Sequence, residues 1–502
     1  MNPVVMLALI VAAHAAFFWS AKRRWQLLNI GRSANRFDKI PERIAGVFRY
    51  AFWQEKMDYY QPAGIAHKLI FAGFLVLLSR TLVLWGRGFS PSFNLFVLQP
   101  WTPLGRVFEF AKDVAATGVL AGVSVFFYFR IVNPLKRMTM SAEAVLILGI
   151  ISTMMLADMT YDGAALALHA RQAYLCKAGS MVATAGQCAS IATIVSPLGT
   201  EIHEGFNLGA PAGSFFAWML HDRDPGTLIF LAYAGFWIHA TLPLIFLNLL
   251  PHSKHFHVIT GIPNVFFKDM EPAGRLRPMA ENAEKLMEIV GAAGELPDPA
   301  SAPVGVARVE HFSWKAILDF YTCTECGRCS DNCPAHTTGK ILSPKHLTLA
   351  LRDALYGREA EYISGSAFGG AVAEGGTVNA TETEGAPITI AKGTPINIAP
   401  DLIHPDVLWA CTSCRACEEQ CPVLISYVDK IVDMRRNLVM VRGEFPHELQ
   451  KPFQGMEVNG NPWNLSRMDR AAWSDGLDIP FMADKPTAEV GVLVLERVEA
   501  VR

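Results

Sequence analysis

The sequence predicts an all-α membrane domain of five transmembrane helices followed by a small α-rich domain. Three observations predict it: apolar runs crowd the first half, one four-cysteine motif occurs twice in the second half, and histidines sit within the apolar runs. The 502 residues are 51% hydrophobic and 18% charged, too apolar for a disordered chain and unusual for a wholly water-soluble one. A formal net charge of −2 gives no global basic field, which argues against nucleic acid as a partner.

Residues 3–20 and 227–250 are uncharged runs of 18 and 24 residues, each able to cross a hydrocarbon core of about 30 Å as a helix. Three further spans are clipped by charges. The second, 64–86, carries Lys68 and Arg80; the third, 114–132, meets Arg130; the fourth, 144–165, meets Asp158. Long basic side chains near helix ends can snorkel to the headgroups, so these runs still read as spans. The first run resembles a secretory signal, but its basic cluster follows the run and no small-residue cleavage pattern appears.

Five spans place the termini on opposite sides. Residues 21–50 hold eight Lys/Arg against two acids, Lys136 and Arg137 flank the third span, and Lys254 follows the fifth. The positive-inside rule puts all three stretches in the cytoplasm, so the N-terminus is expected outside and everything after about 251 inside. The expected division is a membrane domain 1–260, a Pro/Ala/Gly/Glu-rich linker 261–310 with one short helix at 280–292, a Cys-rich domain 311–440 with a Gly/Ala/Thr-rich insertion at 358–402, and an extension 441–502.

Residues 323–334 (CTECGRCSDNCP) and 411–422 (CTSCRACEEQCP) both read C-x2-C-x2-C-x3-C-P. This is the bacterial ferredoxin spacing: three thiolates from one tight loop meet three corners of a [4Fe–4S] cube, and the fourth Cys serves the other cube. The expected ligands are therefore Cys323, Cys326, Cys329 and Cys421 for one cluster, and Cys411, Cys414, Cys417 and Cys333 for the other. Crossed ligation would hold the cubes side by side despite 77 intervening residues. Structural zinc also takes four cysteines, but from separated C-x2-C pairs, and disulfides do not persist on the cytoplasmic side. Cys176 and Cys188 fall in the expected external loop, where a disulfide or two free thiols both fit.

An ionisable group inside a membrane span is a functional candidate. His239 lies mid-span and His257 follows 18 residues later. If the helix runs on through Pro251, both rings share one face about 27 Å apart, a spacing that suits two stacked b-type haems. His67 lies at the level of His257 and is its expected partner across a haem. His14 and His239 lie about 17 and 20 Å from the outer ends of their spans and form the expected outer pair. His252 and His255 compete with His257, while His169 and His203 belong to the external loop. Asp158 is either an aid to quinone protonation or an interfacial carboxylate.

Four segments carry a family resemblance: AGIAHKLIFAGF (63–74), WIHATLPLIFLNLLPHSKHFHVITGIPNVFF (237–267), CTECGRCSDNCPAHTTGKILSPKHL (323–347) and LWACTSCRACEEQCPV (408–423). They resemble membrane-bound heterodisulfide-reductase-like iron–sulfur oxidoreductases. In that family a cytochrome b domain similar to the gamma subunit of respiratory nitrate reductase is fused to a two-cluster ferredoxin domain. Segments 430–450 and 459–473 extend the likeness, which covers about 1–485. It implies a multi-pass protein of a bacterial or archaeal cell membrane, with a five-helix haem-b bundle, a ferredoxin-like domain, two [4Fe–4S] clusters and one or two haem b. It also implies electron exchange between membrane quinone or quinol and a cytoplasmic flavoprotein, Cys-rich or hydrogenase-type subunit. Two departures stand out. Leu77 occupies the position of a second span-two histidine in the gamma subunit, and no cysteine follows Cys421, where longer members carry Cys-rich repeats. The expectation is then either a catalytic partner in a separate subunit or a truncated version whose electron path ends at the second cube. Two other functions keep the clusters without haem: a membrane-anchored ferredoxin-type assembly factor or metal reductase, and a redox sensor.

Overall fold

The structure is a computed structural model that describes residues 2–177, 183–199, 205–296, 302, 304–364, 376–378, 388–390 and 395–477. Among these, five helical segments are long and apolar enough to cross a membrane: Pro3–Leu28, Ala63–Phe89, Pro103–Val132, Ala142–Leu175 and Pro225–His252. Three of them start on a cap followed by proline. Asn2, Thr102 and Asp224 accept first-turn backbone N–H groups through their side chains, and Pro3, Pro103 and Pro225 occupy a position where a missing N–H costs nothing. The outward faces carry exposed large apolar side chains, among them Phe18, Phe74, Leu78, Phe110, Phe230 and Ile245, as a lipid-facing surface requires.

The fourth and fifth spans pack closely. A Cβ on Gly235 would fall 2.5 Å from the Ala157 carbonyl oxygen, so only glycine lets these backbones meet. Phe236, Leu228, Leu168 and Tyr161 fill the core around that contact. The fourth helix is longer than expected and continues to Leu175, which places His169, expected in the external loop, on the helix and buried.

The fifth helix ends at Leu249. Pro251 has no N–H to continue it, and two 3₁₀ turns, Leu250–His252 and Lys254–Phe256, follow before a new helix at His257–Phe266. The continuous helix expected through Pro251 is therefore absent, and His239 and His257 do not share one helix face.

The helix His257–Phe266 carries the chain straight into the cluster region. Its Asn264 accepts from Lys315 Nζ (2.9 Å) and donates to the Val423 carbonyl (2.9 Å), and Phe267 meets Trp314 edge-on at 4.9 Å. Residues Met1–Arg277 and Arg308–Val432 accordingly form one compact unit, with no boundary at 260. That region is built on helices Trp314–Thr322 and Pro344–Gly357, with one short helix after each cysteine loop. Within the insertion, Gly376–Val378 pairs antiparallel with Ile388–Ile390; the rest of 365–394 lies outside the described residues.

A second unit joins Pro278–Ala307 to Asp433–Arg502. Its helices Ala283–Gly294 and Gln450–Asn459 are amphipathic or capped surface elements, and Val306 N–H donates to the Asp433 carbonyl at 2.9 Å. The short helix expected at 280–292 is present as Ala283–Gly294, and residues 278–307 of the expected linker group with the chain after 432; residues 478–502 of the extension lie outside the described residues.

Candidate redox centres and the histidines of the bundle

Both cysteine loops follow the same backbone path. Glu325 and Ser413, the third residues of their motifs, and Gly327 and Arg415, the fifth, all have positive φ (56°, 58°, 74° and 59°). Three of these carry side chains, a strain that persists where a loop must wrap around a bound group. The wrapping turns N–H groups toward sulfur: Ser413 N–H donates to Cys411 Sγ and Ile425 N–H to Cys421 Sγ, both at 3.4 Å. Cluster sulfurs take such hydrogen bonds. At Gly327 a Cβ would also lie 2.0 Å from the Arg137 carbonyl oxygen, so the loop's close approach to the bundle needs glycine there.

Cys323, Cys329, Cys417 and Cys421 pack together with Ile425 and Tyr427, which brings the two motifs into one buried group. The neighbour relations cross between motifs. Burial pushes the Cys421 thiol up to about 11, and its cysteine neighbour is Cys326 of the other motif. Burial pushes Cys329 up to about 12, with Cys326 and Cys421 adding to the rise. Burial and then Glu418 raise Cys417, and Cys329, Cys411 and Cys333 add to it. Bare thiolates are therefore disfavoured, and the positive charge of iron is what would stabilise four of them together. Cys414 is exposed, Cys326 and Cys411 are half-buried, and the other five are buried.

The first loop faces the bundle. Arg137 Nη1 donates to the Cys326 carbonyl at 2.7 Å, and Arg328 Nη1 donates to the Lys56 carbonyl at 2.8 Å. On that end of the bundle, His67 Nδ1 bonds Gln54 Oε1 at 3.0 Å and His257 Nδ1 bonds the Lys254 carbonyl at 3.0 Å. Both acceptors are oxygens, so each Nδ1 carries the proton and each Nε2 keeps its lone pair. That is how a histidine is held to ligate iron, its second nitrogen fixed by an outer hydrogen bond. Burial and the neighbouring His255 hold the His257 pKa down to about 3; His67 is near enough to add to the effect. Both rings are half-buried, and the structure brings them together. Of the competitors, His252 has both nitrogens engaged, by Ser20 (3.2 Å) and Arg24 (3.4 Å), and His255 turns Nδ1 toward Glu143 at 3.8 Å.

The expected outer pair does not assemble. His14 bonds the Ile10 carbonyl at 2.8 Å and lies edge-on to Trp85, 6.0 Å between centroids. Asn248 donates to the Ala13 carbonyl at 3.0 Å, which sets residue 13 beside residue 248, about 13 Å along the fifth helix from His239. Depths counted from helix ends failed because the first and fifth helices are offset along their axes. His239 itself is fully buried, with Nδ1 3.1 Å from Asp158 Oδ1 and Nε2 3.4 Å from the Thr81 hydroxyl. The Nδ1 contact is one of charge proximity, since that nitrogen makes no hydrogen bond.

His239 belongs instead to a buried ionic network. Arg80 reaches Asp158 at 2.9 Å and Asp162 at 2.6 Å; Lys112 pairs with Asp162, Glu109 (2.9 Å) and Asp113 (3.4 Å). Asp113 also accepts the Gly213 N–H at 2.9 Å. Arg80 does not snorkel to the headgroups: it is 1% exposed, because two carboxylates lie nearer than water. Asp158, 2% exposed, is not an interfacial carboxylate. Lys112, Asp113 and Asp162 were missed in the sequence, although Asp162 stands one helical turn beyond Asp158 and marks the same face. Leu77 packs against Met155 and Ala116 in the apolar core.

Cys176 is joined to Cys188 by a disulfide, with Cα atoms 5.7 Å apart. It follows the Leu175 end of the fourth helix, whereas the cluster region meets the Ser141 end through Lys254, which bonds Ser141 (2.7 Å) and Glu325 (3.5 Å). His203 lies outside the described residues.

Comparison with known proteins accords with this geometry. The 4Fe–4S dicluster domain family matches residues 315–422, so the cysteine-rich region is a ferredoxin-like two-cluster domain. The chain is 31% identical over 478 residues to a probable iron–sulfur-binding oxidoreductase, FadF, of Bacillus subtilis, covering 94% of this chain and 60% of that protein. It is 30% identical over 478 residues to the EtfAB:quinone oxidoreductase of Syntrophomonas wolfei, covering 94% and 59%. A probable membrane-anchored ferredoxin of Chromohalobacter salexigens is 37% identical over 194 residues, 38% of this chain and 27% of that one. The chain thus spans about three-fifths of the length of the first two relatives. No solved structure matches. What the comparisons establish is a chain that joins a 4Fe–4S dicluster domain to five membrane-type helices and is similar, over nearly its whole length, to proteins named as iron–sulfur and quinone oxidoreductases.

Proposed function

We propose that the chain is a membrane-bound electron-transfer oxidoreductase that passes electrons between the quinone pool and a soluble redox partner on the cytoplasmic side. The observation that carries this is the docking of the Cys326–Arg328 loop onto the bundle end that holds His67 and His257. On this proposal His67 and His257 hold one haem b; Cys323, Cys326, Cys329 and Cys421 hold the nearer cluster; Cys411, Cys414, Cys417 and Cys333 hold the farther. When bound, these groups supply one-electron carriers, so two passages reduce one quinone with two protons to quinol, or the reverse. The residues' own part is to orient and insulate: Gln54 and the Lys254 carbonyl fix the two imidazoles, and buried Ile425 and Tyr427 keep water from the sulfurs. The exposed Cys414 marks the exit to the soluble partner. EtfAB, named with quinone for the Syntrophomonas relative, is the first candidate. Basic residues at the cluster-bearing end and the disulfide at the other support an N-terminus outside the cell.

The second possibility, a haem-free membrane-anchored ferredoxin, is favoured by the Chromohalobacter likeness, which covers 38% of the chain. Reduced-minus-oxidised absorption of the purified, cluster-replete protein separates the two: a b-type haem signal is expected, and its absence would leave the anchored ferredoxin standing. For the clusters, Cys421→Ala is expected to damage the one built on the Cys323 motif. Damage confined to the Cys411 motif would refute crossed ligation.

A further inference from the structure

The two cysteine motifs are alike in backbone but differ in sequence, and one of the differences places a buried cation. The sixth residue is Arg328 in the first and Ala416 in the second. Arg328 is 3% exposed, and its hydrogen bonds go to neutral groups: Nη1 to the Lys56 carbonyl at 2.8 Å and Nη2 to Met57 sulfur at 3.7 Å, with its guanidinium 4.7 Å from the Tyr60 ring centroid. Its Nε has no partner at all. A buried guanidinium without a carboxylate is costly unless some other anion neutralises it. The anions at hand are the sulfurs of Cys326 and Cys421, both within electrostatic reach, and on the bundle side it is also within reach of His67.

Other charges near this cysteine set have carboxylate partners, Arg137 with Asp331 (3.6 Å) among them. Asp319, near Cys421, is shared by Lys315 (2.6 Å) and Lys430 (2.5 Å), and Glu325, near Cys323, is held by Arg352 (3.0 Å) and Lys254 (3.5 Å). At the second motif the only arginine in the loop, Arg415, is cancelled by Glu418 (2.7 Å) and Asp429 (2.9 Å).

Burial by itself lowers the reduction potential of an anionic cube, because the reduced form carries one more negative charge into a poorly polarisable surround. A buried, uncompensated cation against the same sulfurs acts the other way. We infer that Arg328 is a potential-setting residue: it raises the reduction potential of the membrane-side cluster selectively and so draws electrons arriving at the exposed cluster toward the bundle. This rests on the two-cluster proposal above.

The test is a potentiometric EPR titration of the full-length protein in detergent, with iron counted per chain. Eight irons and two cluster signals in the unsubstituted protein are the precondition; fewer would strike at the two-cluster proposal itself and not at Arg328. With eight present, Arg328→Gln should lower the midpoint of one cluster and leave the other in place, and Arg328→Lys should restore most of the difference. If Arg328→Gln does not assemble, Ala416→Arg decides: an arginine at the matching position should raise the other cluster's midpoint. Unmoved midpoints, or equal movement of both, overturn the inference.

Discussion

At the cluster-side end of the bundle, His67 and His257 each give one ring nitrogen to an oxygen acceptor and keep the other; deeper in the bundle, His239 turns Nδ1 to the Asp158 carboxylate without a hydrogen bond and Nε2 to the Thr81 hydroxyl. The first two are half-buried beside charged loops, and the third is sealed among Arg80, Asp158, Asp162 and Lys112. An intramembrane histidine is therefore informative only together with its partners. Where one nitrogen is fixed by an outer hydrogen bond and one is open, the ring can ligate; where the ring faces a buried carboxylate, it is one member of a charge network.

The sharpest way to break this contrast is to delete each ring in turn. His257→Ala is expected to abolish the b-haem absorption entirely, while His239→Ala leaves the haem spectrum in place. Loss of the haem signal in both variants would return His239 to the ligand set. Next in size is Asp158→Ala, which leaves Arg80 with Asp162 alone and takes the carboxylate from His239. Breaking a buried pair in this way costs about 3–5 kcal/mol, to be read as a fall in thermal stability in detergent. The double variant with Arg80→Leu should lose less than the two single losses added together, since no lone charge remains; strict additivity would mean that the pair does not couple. Smallest is Cys188→Ser at the far end of the fourth helix. Its disulfide closes a short loop, a separation of 12, and its loss is expected to cost about 3 kcal/mol under non-reducing conditions. Dithiothreitol should lower the unsubstituted protein to the same level, and insensitivity to reductant would show that the bond is not formed.

Much of the architecture was legible in the chain. Apolar runs of about the bilayer's thickness announce spans whatever surrounds them, because a helix must satisfy its own backbone in lipid. The Cys motifs likewise carry their geometry in short-range spacing, whereas His257 was reached through its 18-residue spacing from His239 on a continuous helix that Pro251 interrupts. Less was legible about registry. His14 and His239 looked level when counted from helix ends, but the Asn248–Ala13 hydrogen bond shows the two helices offset. Pro243 and Pro251 look equally disruptive in sequence, yet only Pro251 ends the helix.

The sequence alone determined the number of membrane-type helices and the duplicated four-cysteine loop, since each depends on residues a few positions apart. Tertiary structure decided which cysteine neighbours which, which histidines keep a free nitrogen, and that Arg80 turns inward to Asp158 and Asp162 instead of out to the headgroups. The physical reason is range. Hydropathy and ligand spacing act along the chain, whereas pairing a buried charge or opening a ring nitrogen depends on groups that only the packing of distant helices brings within 3 Å or so of one another.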